Sequence, residues 1–70
     1  MLRELEATIA KSLTVEIRYY TAGRDHETTR RVDPLRLEWR GRAAYLIAHC
    51  HLRGEQRIFR VDRIAELNRV

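Results

Sequence analysis

Between Leu13 and Tyr19 apolar and polar residues alternate without a break, as Leu13-Thr14-Val15-Glu16-Ile17-Arg18-Tyr19. Successive side chains of an extended strand point to opposite faces, so a period of two marks a strand with one face buried and one in water. The pattern returns in Leu35, Leu37 and Trp39 against Arg36, Glu38 and Arg40. It returns again in Ala44, Leu46, Ala48 and Cys50 against Tyr45, Ile47, His49 and His51. Strands are therefore read at residues 13–19, about 28–40, 43–51 and 56–61, with 67–70 able to close as a short fifth. Turn chemistry separates them: residues 21–26 around Gly23 and Asp25, then Gly41, then Gly54. Residues 62–67 read as a tight turn or a single helical turn. Pro34 falls inside the second strand, where it has no N–H for a ladder, so it marks an edge, a bulge or a bend.

Ahead of the strands, residues 1–11 form an amphipathic helix, with Leu2, Leu5 and Ile9 three and four apart and most charges on the other side. A helix this short is marginal alone and must dock on something. One helix followed by short strands and glycine turns predicts a mainly β chain: a small antiparallel barrel of four to five strands. Residues 1–70 are read as one domain, helix at 1–11 and barrel at 13–70, with Val15, Ile17, Leu35, Leu37, Leu46, Ala48, Phe59 and Ile64 in the core.

Seventy residues bury only about 60% of the surface that the unfolded chain exposes, which leaves little room for a deep, self-made active site. The longest apolar stretch, residues 43–48, is far below the roughly 20 residues of a membrane span. Glu4 and Glu6 interrupt any hydrophobic leader, so no membrane association and a cytoplasmic location are expected. The lone Cys50 excludes an internal disulfide and a multi-cysteine zinc site. His49 and His51 share a strand face while Cys50 points the other way, and their spacing, even with the distant His26, matches no zinc motif. Cys50 reads as a small buried hydrophobe. There is no Ser-His-Asp signature, phosphate-cradling glycine loop or evident carboxylate pair, and Asp33 and Asp62 sit where turns need caps. The expectation is a non-enzymatic chain without metal or cofactor.

Charge points toward the partner. The net charge is +4, carried by thirteen arginines and one lysine, Lys11. Arginine offers a planar fork of donors and stacks on rings, so an arginine-rich basic chain suits an anionic partner, nucleic acid first. A GC-rich genome gives the same bias with no functional cause. Arg53, Arg57, Arg60 and Arg63 fall within eleven residues, next to a strand that carries Tyr45 and His49. Guanidinium forks for phosphates and ring faces for bases are what a single-strand surface requires. The competing reading is a solvated face in which arginines pair with Glu16, Glu38, Glu55 or Asp62. Strict alternation puts Arg57 on the side of Phe59 and Val61, so either a bulge rotates it outward or it lies at the barrel mouth with its head in solvent.

Three segments together resemble the WYL domain family: Val32-Asp33-Pro34-Leu35-Arg36-Leu37; Gly41-Arg42 leading into Tyr45-Leu46-Ile47-Ala48-His49-Cys50; and Arg57-Ile58-Phe59-Arg60-Val61-Asp62-Arg63-Ile64. The aromatic-ended Ile17-Arg18-Tyr19-Tyr20 fits the family's first strand, and the likeness runs from about Leu13 to Leu67. The family's Trp-Tyr-Leu triplet is here Ala44-Tyr45-Leu46, with Trp39 a candidate to refill the lost volume. The resemblance implies an Sm-like, SH3-type barrel acting as a ligand-sensing or regulatory module in bacterial transcription regulation or nucleic-acid defence, often behind a winged-helix DNA-binding domain in a longer parent protein. It implies single-stranded nucleic acid or a nucleotide as ligand. It points to Tyr45, Arg57, Arg60 and Arg63 as the binding residues, with Arg36 and His49 beside them. Tyr45 is expected to stack, Arg57 and Arg60 to hold phosphates, and Arg63 to join them or anchor the turn through Asp62. An interaction module that dimerises or docks through an exposed barrel edge is the alternative.

Overall fold

The computed structural model describes residues 1–21 and 26–70. One helix, α1 (Leu2–Ala10), precedes five strands: β1 (Val15–Thr21), β2 (His26–Arg40), β3 (Ala43–Cys50), β4 (Glu55–Arg60) and β5 (Ile64–Arg69). A three-residue 3-10 helix, Val61–Arg63, joins β4 to β5. All neighbours pair antiparallel in one sheet of order β4-β3-β2-β1-β5. The expected mainly β architecture is therefore present, with β5 starting three residues earlier than alternation suggested and His51 already in the turn after β3. The expected turn around Gly23, with Arg24 in it, lies outside the described residues.

No ladder joins β4 to β5 among the described residues, so the sheet is open along that seam. It nevertheless curls. Tyr19 of β1 meets Phe59 of β4 edge-on, with ring centroids 5.1 Å apart. The Arg60 backbone N–H donates to the Tyr19 phenol oxygen at 3.1 Å, a bond between strands that are not ladder partners. The concave face holds the core: Val15 and Ile17 from β1, Val32 from β2, Leu46, Ala48 and Cys50 from β3, and Phe59, Val61 and Ile64 beyond. Leu5 of α1 closes it from outside the sheet, with Leu2 and Ile9 half-buried around it. Each of the larger side chains stabilises the fold by about 1.5–3 kcal/mol relative to exposure.

The helix stops where the backbone reverses. Ser12 takes a left-handed φ of 53°, the Ser12 N–H donates to the Ile9 carbonyl, and the Leu13 N–H donates to the Thr8 carbonyl. Both bonds satisfy carbonyls that the helix end would leave orphaned, a termination usually assigned to glycine.

Pro34 explains one departure. Val32 pairs with Cys50 and Pro34 with Ala48, but Arg36 pairs with Ile47 and Leu37 with Leu46. Leu35 is the extra residue of a β-bulge, and a one-residue slip exchanges the faces of everything beyond it. Leu35, expected in the core, is 46% exposed, and Leu37 is half-buried rather than enclosed. No helix among the described residues is long and apolar enough to cross a membrane.

Candidate functional site

Strand β3 divides the molecule. Its even residues face the core, and its odd residues, Tyr45, Ile47 and His49, point to the opposite face, where Tyr45 and His49 are half-buried and Ile47 is almost fully covered. Cross-strand register then lays out the outer face: Tyr45 lies between Glu38 and Arg60, Ile47 between Arg36 and Ile58, and His49 between Asp33 and Gln56. Four of the residues expected at the site, Tyr45, Arg60, Arg36 and His49, thus come to one face. Arg40 joins them: its guanidinium carbon lies 5.1 Å from the centre of the Tyr45 ring. Cation–π contact of this kind holds the ring in place and leaves a charged group beside it.

Arg57 falls elsewhere. The β3–β4 register is unbroken and pairs Arg57 with Ala48, so no bulge turns it outward. It sits on the concave side with its head half in solvent, the barrel-mouth arrangement. Arg30 stands on that side too, opposite Ile17, with its guanidinium carbon 5.9 Å from the centre of the Phe59 ring. Residue-type patterns did not single out Arg30; counting back by twos from the buried Val32 places it.

The arginines of both faces have carboxylate neighbours. Arg36 Nε is 3.1 Å from Glu38, Arg60 Nε is 2.8 Å from Asp62, and Arg57 Nη1 is 3.7 Å from Glu55. Arg31 reaches Glu16 at 4.0 Å. All of these pairs are solvent-exposed, where a pair contributes about 0–1 kcal/mol, so an arriving phosphate can compete for the same forks. Asp62 takes Arg60 rather than Arg63, and Arg63 and Arg53 form no ion pair among the described residues.

At the far end of the outer face, Asp33 gathers polar groups. Thr14 Oγ1 donates to its Oδ1 at 2.5 Å, and His51 Nε2 lies 3.0 Å from the same oxygen. The Thr14 hydrogen bond, with help from His51, outweighs partial burial and holds the Asp33 carboxyl below its ordinary range. The His49 and His51 rings are 5.7 Å apart, and Cys50 is buried on the opposite side. Among the described residues no group of three or more His, Cys, Asp or Glu side chains is placed to hold a metal ion.

Trp39 does not refill the space at position 44. It faces Ala44 directly across the β2–β3 ladder and remains 61% exposed.

No curated protein matches the chain. Among solved structures, one match is the proteasome accessory factor B/C (PafBC) of Arthrobacter aurescens, 34% identical, with a TM-score of 0.92 over 97% of this chain. The match spans 11% of that protein's chain, so the present residues correspond to a small part of it. The WYL domain family model matches residues 1–69. Helix, five-stranded order and the motifs of β2, β3 and β4 all lie inside that match, and the chain belongs to the WYL domain family.

Proposed function

We propose that the chain is a non-enzymatic ligand-sensing module of bacterial transcription regulation, working as part of a longer protein and binding an anionic ligand on the outer face of β3. Family membership and the likeness to one segment of the much longer PafBC chain support the modular, regulatory part of this reading. The ligand class is single-stranded nucleic acid or a nucleotide. The observation that carries it is the setting of Tyr45, an outward aromatic ring with Arg40 against it and Arg60 across the ladder. A base stacks on such a ring or on the guanidinium plane that lies over it, while Arg60 across the ladder meets a flanking phosphate. Arg36 extends the basic track along β2, and His49 adds a second ring along β3. Arg63, without an ion pair among the described residues, extends it past the end of β4.

A second reading has its own support: β4 and β5 are the two edges of an open sheet, and Leu35 and the 51% exposed Ile58 are left uncovered beside the chain's own residues. A protein contact or a dimer through this surface fits those features. Anisotropy titrations against single-stranded DNA, single-stranded RNA and duplex at two salt concentrations separate the readings. Phosphate binding weakens steeply with salt, and an apolar self-contact does not. Single-strand binding that is tight at low salt and lost at high salt supports the ligand reading. A salt-insensitive dimer with no strand binding supports the other.

A further inference from the structure

An open cleft of about 720 Å³ lies between the start of α1, the turn joining β2 to β3, and the 3-10 helix. Its floor is apolar, with Ala44, Val61 and Ile64, and its rim carries Trp39, Arg42 and Arg60. The volume is within the roughly 300–1,000 Å³ typical of small-ligand sites. Ala44, directly across the ladder from Trp39, is small enough to keep the floor open. Gly41 has a φ of 61°, as a two-residue hairpin turn with glycine in first place requires, and this turn presents Arg42 to solvent. Arg42 forms no ion pair among the described residues. Arg60 engages Asp62 through Nε, and its terminal amino groups can serve an anion.

These features select a ligand type. An apolar molecule would leave the guanidinium groups unanswered, and bare phosphate would leave the indole face unused. A planar heterocycle bearing a phosphate answers both. We infer that the cleft holds one nucleotide unit, its base against Trp39 and its phosphate on Arg42 and Arg60. Asp62 is placed to accept a hydrogen bond from a sugar hydroxyl or base amino group. This rests on the anionic-ligand reading above and adds to it a pocket at the hairpin end, separate from Arg36 and His49. A free nucleotide and the end of a single strand both supply such a unit.

Trp39 is the only tryptophan in the chain, so emission excited at wavelengths beyond the absorption of the three tyrosines reports from this cleft. The full chain is titrated with adenosine 5′-monophosphate, adenosine, inorganic phosphate, and short oligothymidylate with and without a 5′-phosphate. Saturable quenching by the monophosphate is expected, with adenosine about tenfold weaker or worse and inorganic phosphate silent. Competition by the 5′-phosphorylated oligomer identifies a strand end as occupant; quenching by the monophosphate without that competition identifies a free nucleotide. Arg42→Ala should weaken the monophosphate about tenfold, with partial recovery in Arg42→Lys. Ala44→Phe should fill the floor and abolish quenching while the circular dichroism spectrum stays native. Arg42 is exposed on a turn, so its variants remain informative even if Ala44→Phe fails to fold. Emission that no nucleotide alters, or quenching undiminished in Arg42→Ala, overturns the pocket. Strand binding by anisotropy that depends on Tyr45 and Arg36 but leaves Trp39 emission unmoved overturns the pocket and leaves the outer-face reading standing. Monophosphate quenching without any strand binding does the reverse.

Discussion

Tyr45 and Leu46 are adjacent in the chain, yet they answer to different constraints. Leu46 faces Phe59 across the ladder inside the curl of the sheet, fully enclosed, and any change in its volume must be absorbed by neighbours already in contact. Tyr45 faces outward between Glu38 and Arg60, with a guanidinium beside its ring and solvent beyond. The inner face of β3 is set by packing, so its residues are small or aliphatic. The outer face meets that demand only at its middle, where Ile47 is buried, and on either side carries a ring, an imidazole and, from the neighbouring strands, arginine. One strand therefore serves fold and ligand on alternate residues, and a substitution on one face should leave the other's property nearly intact.

The largest effect should come from breaking the inner face. Leu46→Ala is expected to cost on the order of 2–5 kcal/mol, enough to unfold most of a domain this small, read as a lost or strongly lowered melting transition. Tyr45→Ala should do the opposite. Denaturant midpoints should barely move, while single-strand affinity falls about 5- to 150-fold, the equivalent of roughly 1–3 kcal/mol per stacked base. A Tyr45 variant that unfolds, or a Leu46 variant that folds but cannot bind, would erase the distinction between the faces.

Much of this is legible in the sequence. The alternation in β1 and β3 identified Val15, Ile17, Leu46 and Ala48 as core, and the spacing of Leu2 and Leu5 identified α1. What escaped was non-local. The bulge after Pro34 reverses the parity of β2 and brings Leu37 opposite Leu46 on the inner face, while Leu35, the unpaired extra residue, is left outside although its spacing to Leu37 is regular. Proline announces an irregularity but not its direction. The site was legible in part, since Tyr45, Arg60, Arg36 and His49 share a face simply because the strands carrying them pair in this register. Arg40 against Tyr45, Arg30 beside Phe59 and the choice of Asp62 for Arg60 depend on side-chain reach across strands, which a linear pattern does not encode.

Smaller perturbations sharpen the comparison. Thr14→Val removes the main hydrogen bond to the Asp33 carboxylate on the outer side and should cost about 0.5–1 kcal/mol at neutral pH, because the pair is half-exposed. The sign follows from the lowered Asp33 pKa. The carboxylate is favoured in the folded state, so its contribution is complete above the ordinary carboxylate range and disappears as pH falls below it. Denaturation midpoints followed into acid should therefore show the variant and parent converging. Ser12→Gly, at the left-handed end of α1, should stabilise the inner side by about 0.5 kcal/mol, the relief of a strained φ less the added freedom of the unfolded chain. Strand affinity should be unchanged in that variant.

The most direct test of the outer face as a phosphate-tracking, base-stacking surface is the salt dependence of single-strand binding in Arg60→Ala, Tyr45→Ala and Arg69→Ala. Arg69 lies at the end of β5, the opposite edge of the sheet from β4. Arg60→Ala should weaken binding and reduce the slope of log affinity against log salt by about 0.7, the release lost with one phosphate contact on a single strand. Tyr45→Ala should lower affinity at an unchanged slope, because stacking releases no counterions. Arg69→Ala should alter neither by much. Equal losses in Arg60→Ala and Arg69→Ala, with Tyr45→Ala indistinguishable from the parent, would show that the arginines act only as a diffuse basic field and would contradict the account.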